Sequence, residues 1–288
     1  MSFYGYRGGR IDWSEDEALN IISKVKSWWQ NEKIVLEQDR SNDSWLSSWQ
    51  VEDICENAER IPDILGYLLC ANPSKILVDE CYCLINDLKN FKIDIRKSVP
   101  YLLLCEKITF GEAQSCLLQG LKEDRVIVRN SVCAIRHCIA LKKVSLLNED
   151  FTILVQALVD KLIYRSGVGL ISTMRELALI VFEFSFIISD TQKLSIYSSL
   201  STWEELTRID QNSFSSLDPL HDSNDVLRTG LAMLVTAITS NFQISSELEH
   251  VDLKLIIDKL KEDPLPEVRN ALSDWSKFEV RDVILNRC

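Results

Sequence analysis

One segment of this chain occurs twice. Leu-Lys-Glu-Asp at residues 121–124 precedes Val128-Arg129-Asn130, and the same four residues at 260–263 precede Val268-Arg269-Asn270. Weaker copies, each with an apolar residue before an arginine, lie at Arg175 and Arg228, so the four arginines are 46, 53 and 41 residues apart. A repeat near this length predicts a stack of similar supersecondary units, each completing the core of its neighbours.

Helical periodicity runs through almost the whole chain, and alternation of period two is rare. Only 9 glycines and 6 prolines occur in 288 residues, which is too few for the many turns of a sheet-rich fold. Ser14 with Glu17, and Thr109 with Glu112, have the spacing of helix capping boxes. The predicted fold class is therefore all-α, with helices of about 12–20 residues joined by short connections.

The segment Asp263-Pro264-Leu265-Pro266-Glu267-Val268-Arg269-Asn270-Ala271 resembles the start of the second helix in HEAT repeats. The copy at Asp124 lacks the proline and is one residue shorter, and the copies at Arg175 and Arg228 lack the Asp-Pro pair. The resemblance covers roughly residues 61–288 and implies a right-handed α–α superhelix of about six helix pairs. Residues 1–60 are predicted to form a Trp-rich helical cap at the N-terminal end of this one continuous solenoid. Inner helices are expected to begin near Asp124, Gly167, Asp225 and Pro266 and to line a concave surface.

Within that resemblance, the arginine of one repeat can bond the aspartate of its own or an adjacent repeat and so join neighbours. The residues expected in this structural role are Asp124, Arg129, Arg175, Arg228, Asp263 and Arg269. Contact with a ligand is the alternative role for the arginines.

Tryptophan is concentrated at the start of the chain, where Trp13, Trp28, Trp29, Trp45 and Trp49 account for five of seven. Trp28 and Trp29 are adjacent, so on one helix they point about 100° apart, and one can join the core while the other lies at its edge. Bulky aromatic residues seal the last apolar face of a stack, which is the interpretation we favour. Trp28, Trp29, Trp45 and Trp49 are also candidate protein-binding residues, because Trp is enriched at binding hot spots.

The net charge of −11 disfavours nucleic acid as the main partner, because phosphate binding requires a basic surface. An acidic surface favours a basic protein partner. The predicted function is non-catalytic protein binding, as an adaptor or scaffold, or as an inhibitor or immunity-type protein that masks a basic effector. Membership of a stable hetero-complex is also compatible.

Catalytic and metal-binding patterns are sparse. Cys133, His137 and Cys138 could supply part of a metal site, but their neighbours in sequence offer no further ligand, so no cofactor or metal is expected. HEAT-like hydroxylases that use iron carry His-Glu pairs, and none occurs here. The alternative function is a HEAT-fold enzyme that acts on nucleic acid, like the alkylpurine DNA glycosylases, or on a small molecule. That alternative needs a basic groove with an acidic residue beside tryptophans.

A cytoplasmic location is expected, because no secretory signal is visible and nine cysteines, an odd number, lie mostly in apolar helical runs. The most apolar stretch, residues 167–188, is long enough to span a bilayer. Arg175, Glu176 and Glu183 lie inside it, so a helix buried in protein is predicted instead, and no membrane association.

Overall fold

The structure is a computed structural model that describes residues 14–41, 48–69, 74–142, 149–163, 170–201, 224–241 and 253–272. All regular secondary structure within these ranges is helical, so the predicted all-α class is confirmed. The right-handed superhelix of six pairs stays a prediction.

The described part of the chain contains thirteen α-helices and two short 3-10 turns, Arg96–Ser98 and Ser185–Ile187. In chain order the helices are α1 (Glu15–Ser41), α2 (Ser48–Ala58), α3 (Ile61–Leu69), α4 (Lys75–Asn90), α5 (Val99–Leu104), α6 (Phe110–Gly120), α7 (Arg125–Lys142), α8 (Glu149–Ile163), α9 (Leu170–Phe184), α10 (Asp190–Ser201), α11 (Asn224–Asn241), α12 (Lys254–Lys261) and α13 (Pro266–Ala271).

Helix starts follow local side-chain chemistry. Both predicted capping boxes are present: the Ser14 and Thr109 hydroxyls accept from the amides of Glu17 and Glu112, whose carboxylates accept from the amides of Ser14 and Thr109. These bonds satisfy amide groups that have no partner inside the helix. The caps also hold the pKa of each glutamate below its usual value, through the backbone amide first and the hydroxyl second.

The described residues form two compact units. Those up to Ala113 belong to the first unit, and those from Gln114 onward belong to the second, so the division falls inside α6. The sequence-based division was placed at residue 60, but α1 packs against α3 and α4, which follow that position. The proposed boundary at residue 60, which separates a cap from repeats, stays a prediction.

The core of the first unit lies between α1, α3 and α4. Ile22, Val25 and Trp29 form the buried stripe of α1, while Leu77, Cys81, Leu84, Ile85 and Leu88 form that of α4. These spacings of three and four residues place apolar side chains on one face of each helix. In α3, Gly66 permits close approach of the buried Tyr101 ring from α5.

The second unit has a serial arrangement of alternate helices. Helix α7 packs against α9, α9 against α11, and α11 against α13, while α8 packs against α10. Because α9 has a helix on each side and α8 against it as well, it is buried on several faces, with Met174, Leu177, Ala178, Ile180 and Val181 all fully buried. The predicted apolar helix at residues 167–188 therefore packs against other helices on several faces, while Arg175, Phe182 and Glu183 remain exposed.

Candidate functional site

The structure joins three of the six residues expected in the inter-repeat role. Arg228 of α11 donates from Nε to Asp263 Oδ2 at 2.6 Å, and both side chains are almost fully buried. Asp263 also accepts from the amide of Leu265 at 3.0 Å, and its backbone oxygen accepts from the Arg269 guanidinium. Asp263 therefore fixes the turn between α12 and α13 and ties that turn to α11.

The other three residues of that set lie differently. Asp124 is exposed and caps α7, since its Oδ1 accepts from the amides of Val126 at 3.0 Å and Ile127 at 3.1 Å. The side chains of Arg129 and Arg175 are exposed. The carboxylate in the Asp124 copy thus serves its own helix, whereas the carboxylate in the Asp263 copy reaches the neighbouring helix.

A different ion pair lies between α7 and α9. Arg136 donates to Glu176, and the Cys133 thiol donates to the same carboxylate at 3.4 Å. Burial, and then the negative charge of Glu176, raise the pKa of Cys133, so this thiol stays protonated. The arrangement stabilises the packing of two helices and leaves the thiol poorly suited to nucleophilic chemistry.

Sequence reasoning did not single out Arg136 and Glu176. A signal existed for Arg136, because it lies four residues after Val132 and three before Ile139, on the apolar stripe of α7. A charged residue on such a stripe requires a buried partner. The sequence alone does not reveal that the partner is forty residues away on α9.

A second polar cluster lies between α1 and α4 around Trp29. Its indole N–H donates to Asp87 Oδ2 at 2.8 Å, and Lys33 donates to Asp87 Oδ1 at 2.7 Å. The Trp29 ring meets Phe91 edge to face at 5.4 Å between centroids, and the Lys33 ammonium lies 5.0 Å from the centre of the Phe91 ring. Asp87 accepts a hydrogen bond through each of its carboxylate oxygens, so this carboxylate links α4 to Trp29 and Lys33 of α1.

The candidate protein-binding tryptophans differ in accessibility. Trp29 has 0% of its surface exposed and therefore has no area to offer a partner in this structure. Trp28 is half-buried, with its ring centroid 6.5 Å from that of Trp29. This matches the expectation that one of the two joins the core and the other lies at its edge. Trp45 lies outside the described residues, as does the side chain of Trp49.

Several partly buried cations of the first unit form ion pairs with acidic residues: Lys26 with Glu80, Lys33 with Asp87, Arg96 with Asp94, Lys97 with Asp63, and Lys107 with Asp79. The hydrogen bond from Lys107 lowers the pKa of Asp79, and the same bond raises the pKa of Lys107. The four lysine pairs connect different helices or turns of the unit, whereas the Arg96–Asp94 pair lies within one turn.

Among the described residues of the first unit, the exposed charges are predominantly negative. The exposed acidic residues are Glu15, Asp16, Glu17, Glu37, Glu52, Asp53, Glu56, Glu59, Glu106 and Glu112. The exposed basic residues are Lys24, Lys75, Lys89 and Lys92. In the described part of the second unit the exposed acids are Glu123, Asp124, Glu183, Asp190, Asp258, Glu262 and Glu267, against Lys122, Arg129, Arg175, Lys261 and Arg269.

Over the described ranges, no three His, Cys, Asp or Glu side chains are grouped closely enough to hold a metal ion. The same ranges contain no helix of the length and apolarity needed to cross a bilayer. The described cysteines, Cys55, Cys81, Cys83, Cys105, Cys116, Cys133 and Cys138, are free thiols. Burial raises the pKa of Cys81 to about 12.

No family model matches this chain, and neither a curated protein nor a solved structure shows significant similarity to it.

Proposed function

We propose that this protein is a non-catalytic binding module whose acidic surface recognises a basic protein. The observation that carries the proposal is the distribution of charge in the first unit. Four partly buried lysines pair with acidic residues of neighbouring segments, and among the described residues of this unit the exposed acids outnumber the exposed bases. Such a surface attracts basic partners and accelerates their encounter.

Helix α2 carries an acidic face in that unit. Glu52, Asp53, Glu56 and the following Glu59 are all exposed, and their spacing places them on one side of the helix. Helix α2 contains no lysine or arginine, while Ile54 and Ala58 are buried on its other side. Glu52, Asp53 and Glu56 are therefore exposed on a helix that contains no basic residue.

We also propose that the second unit is a HEAT-like stack. The contact order α7, α9, α11 and α13, with α8 against α10, supports this proposal because alternate helices of such a stack form two layers. The buried Arg228–Asp263 pair supports it too, since it joins one helix pair to the next. A stack of this kind provides an extended surface for protein binding, as an adaptor or as an inhibitor that masks a basic effector.

The first test is affinity purification of the full chain from its native cells at about 50 and about 300 mM NaCl, with mass spectrometry of the bound proteins. We expect a basic protein that is retained at low salt and released at high salt. A partner that is neutral or acidic and insensitive to salt would contradict the electrostatic proposal.

The second test localises the surface. Glu52→Lys, Asp53→Lys and Glu56→Lys are combined in one variant, and Glu123→Lys, Glu262→Lys and Glu267→Lys form a control with the same change of net charge. Calorimetric titration with the purified partner should show affinity reduced at least about tenfold by the α2 variant and much less by the control. Circular dichroism checks that both variants keep their helical content.

A further inference from the structure

An exposed aromatic pair lies where α9 ends and α10 begins. Phe182 and Phe186 are 43% and 64% exposed. Phe182 lies in the last turn of α9, and Phe186 lies four residues later, in the 3-10 turn that follows the end of that helix. In the same unit the phenyl ring of Phe184 is buried. The two outward rings are therefore a feature of the surface and not part of the core.

The Phe186 ring is held in its outward position by its neighbours. It meets the buried Phe184 ring edge to face, with centroids 6.4 Å apart, and the next two residues, Ile187 and Ile188, are both buried. In the 3-10 turn Ser185–Ile187, the Ile187 side chain is therefore buried and the Phe186 side chain is exposed. A fixed aromatic ring loses little conformational entropy when a partner covers it.

Two exposed carboxylates lie close in sequence to the two rings. Glu183, next to Phe182, is exposed, and Asp190 at the start of α10 is exposed as well. Lys193 bonds Asp190 Oδ1 at 2.9 Å, so Asp190 already carries one cation of its own helix. Aromatic faces next to carboxylates favour cationic groups, because the ring quadrupole and the acid attract the same charge.

We propose that Phe182, Glu183, Phe186 and Asp190 form a docking surface for an arginine-containing segment of a basic protein partner. The inference rests on the proposed function. It also specifies which part of the second unit contacts the partner and which side chain of the partner is recognised. Guanidinium groups stack on the phenyl rings while their N–H groups donate to the carboxylates. Arginine suits this surface better than lysine, because its planar group stacks and donates at once.

The test uses the full chain and two synthetic probes, nona-arginine and nona-lysine peptides, in calorimetric titrations. We expect the wild type to bind nona-arginine more tightly than nona-lysine. The variant Phe182→Ala/Phe186→Ala should lose about tenfold in affinity for nona-arginine and lose the preference for arginine. Ile153→Ala, which removes another exposed apolar side chain of the second unit, serves as the control and should change neither.

A second variant, Glu183→Gln/Asp190→Asn, keeps the rings and removes the charges, so it should weaken both peptides by similar factors. If the wild type binds neither peptide, the proposed function fails along with this inference. If the wild type binds both and Phe182→Ala/Phe186→Ala behaves like the wild type, only this inference fails. Analytical ultracentrifugation measures the oligomeric state of the wild type and of Phe186→Ala. If the wild type is a dimer and Phe186→Ala is a monomer, the surface is an interface between two copies of this chain, and the inference is overturned.

Discussion

Two residues of the first unit occupy a backbone conformation that favours glycine. Lys92 and Glu106 have φ of 64° and 56°, and each follows the end of a helix. The amides of Lys92 and Ile93 donate to the carbonyls of Lys89 and Leu88, which is the Schellman pattern. Glu106 and Lys107 repeat the pattern with Leu103 and Leu102 at the end of α5. In L-residues a left-handed conformation brings Cβ close to the carbonyl oxygen that follows.

Lys92→Gly and Glu106→Gly should therefore each stabilise the protein. Glycine relieves the steric cost at these positions, and we expect a gain of about 1 kcal/mol in the free energy of unfolding for each substitution. Lys89→Gly is the matched control: it lies in the last turn of α4 and should cost up to about 1 kcal/mol. Urea denaturation of the full chain measures all three changes. Destabilisation by both Lys92→Gly and Glu106→Gly would contradict the expected strain.

Gly66 is required by packing, not by backbone conformation. A Cβ at this position would lie 3.0 Å or less from three ring carbons of Tyr101, whose side chain is buried. Gly66→Ala should therefore destabilise the protein by about 1–3 kcal/mol, because the ring has no room to move.

Gly111 provides the control for Gly66, because a Cβ there would meet nothing within 4 Å. Gly111→Ala in the first turn of α6 should stabilise the protein by a few tenths to about 1 kcal/mol, through helix propensity. Thermal and urea unfolding of the two variants give the comparison. Equal effects of the two substitutions would show that the close approach of Tyr101 does not restrict position 66.

At the scale of elements, the sequence predicts the start of a helix well where the capping residues lie close together in the sequence. The Ser14–Glu17 and Thr109–Glu112 boxes lie within four residues and were both predicted. The box formed by Ser189 and Gln192 has the same spacing with glutamine in place of glutamate, and it marks the start of α10 at Asp190. Helix α5 has only six residues, which are too few to show helical periodicity in the sequence.

Contacts between elements were less predictable. The pairing of Arg228 with Asp263 could be anticipated, because both belong to the repeated segment. The pairing of Arg136 with Glu176 follows from the distance between α7 and α9, which no local pattern encodes. Similarly, the sequence predicted that one of Trp28 and Trp29 joins the core but not that it is Trp29, and the bond of Trp29 to Asp87 depends on how α1 and α4 pack.

The buried Arg228–Asp263 pair leads to a prediction at this scale. Asp263→Asn keeps the shape of the side chain but leaves the Arg228 charge without a carboxylate, and we expect a loss of about 3–5 kcal/mol. Asp124→Asn is the matched control in the other copy of the repeat. Asp124 is an exposed cap, and asparagine caps about as well, so the change should stay within about 0.5 kcal/mol.

The double variant Arg228→Met/Asp263→Leu removes both buried charges together. It should be less destabilised than Asp263→Asn, because no charge remains uncompensated. Chemical denaturation of the three variants measures these differences. Equal stability of Asp263→Asn and Asp124→Asn would show that the buried pair contributes no more than an exposed cap.

At the scale of the whole molecule, the two units differ in what their sequences reveal. The two full copies of the repeated segment lie in the second unit, and there the sequence predicted helices beginning near Asp124, Gly167, Asp225 and Pro266. Helices α7, α9, α11 and α13 begin within three residues of those positions and pack in series, whereas the concave surface that they were expected to line stays a prediction. The Leu-Lys-Glu-Asp and Val-Arg-Asn segments do not occur in the sequence of the first unit, and its packing depends on cross-helix bonds such as Lys26 with Glu80, which periodicity does not show.

Serial packing predicts a graded stability within the second unit. In a stack where each helix pair contacts only its neighbours, the free energy of local opening is lowest at an end and highest where both neighbours are present. Helix α9 has α7 and α11 on its two sides and fully buried residues along its length, whereas α13 packs only against α11 and α12 among the described helices.

Hydrogen exchange followed by mass spectrometry on the full chain should therefore show the slowest exchange in α9, intermediate exchange in α7, and the fastest in α13. Low concentrations of urea should accelerate α13 first and α9 last, because opening spreads from the end toward the middle. Asp263→Asn should accelerate exchange in α12 and α13 more than in α9, because it breaks the bond that ties the α12–α13 turn to α11. Uniform protection of all these helices, with a single response to urea, would mean that the second unit opens as one cooperative body and would contradict the proposed HEAT-like stack.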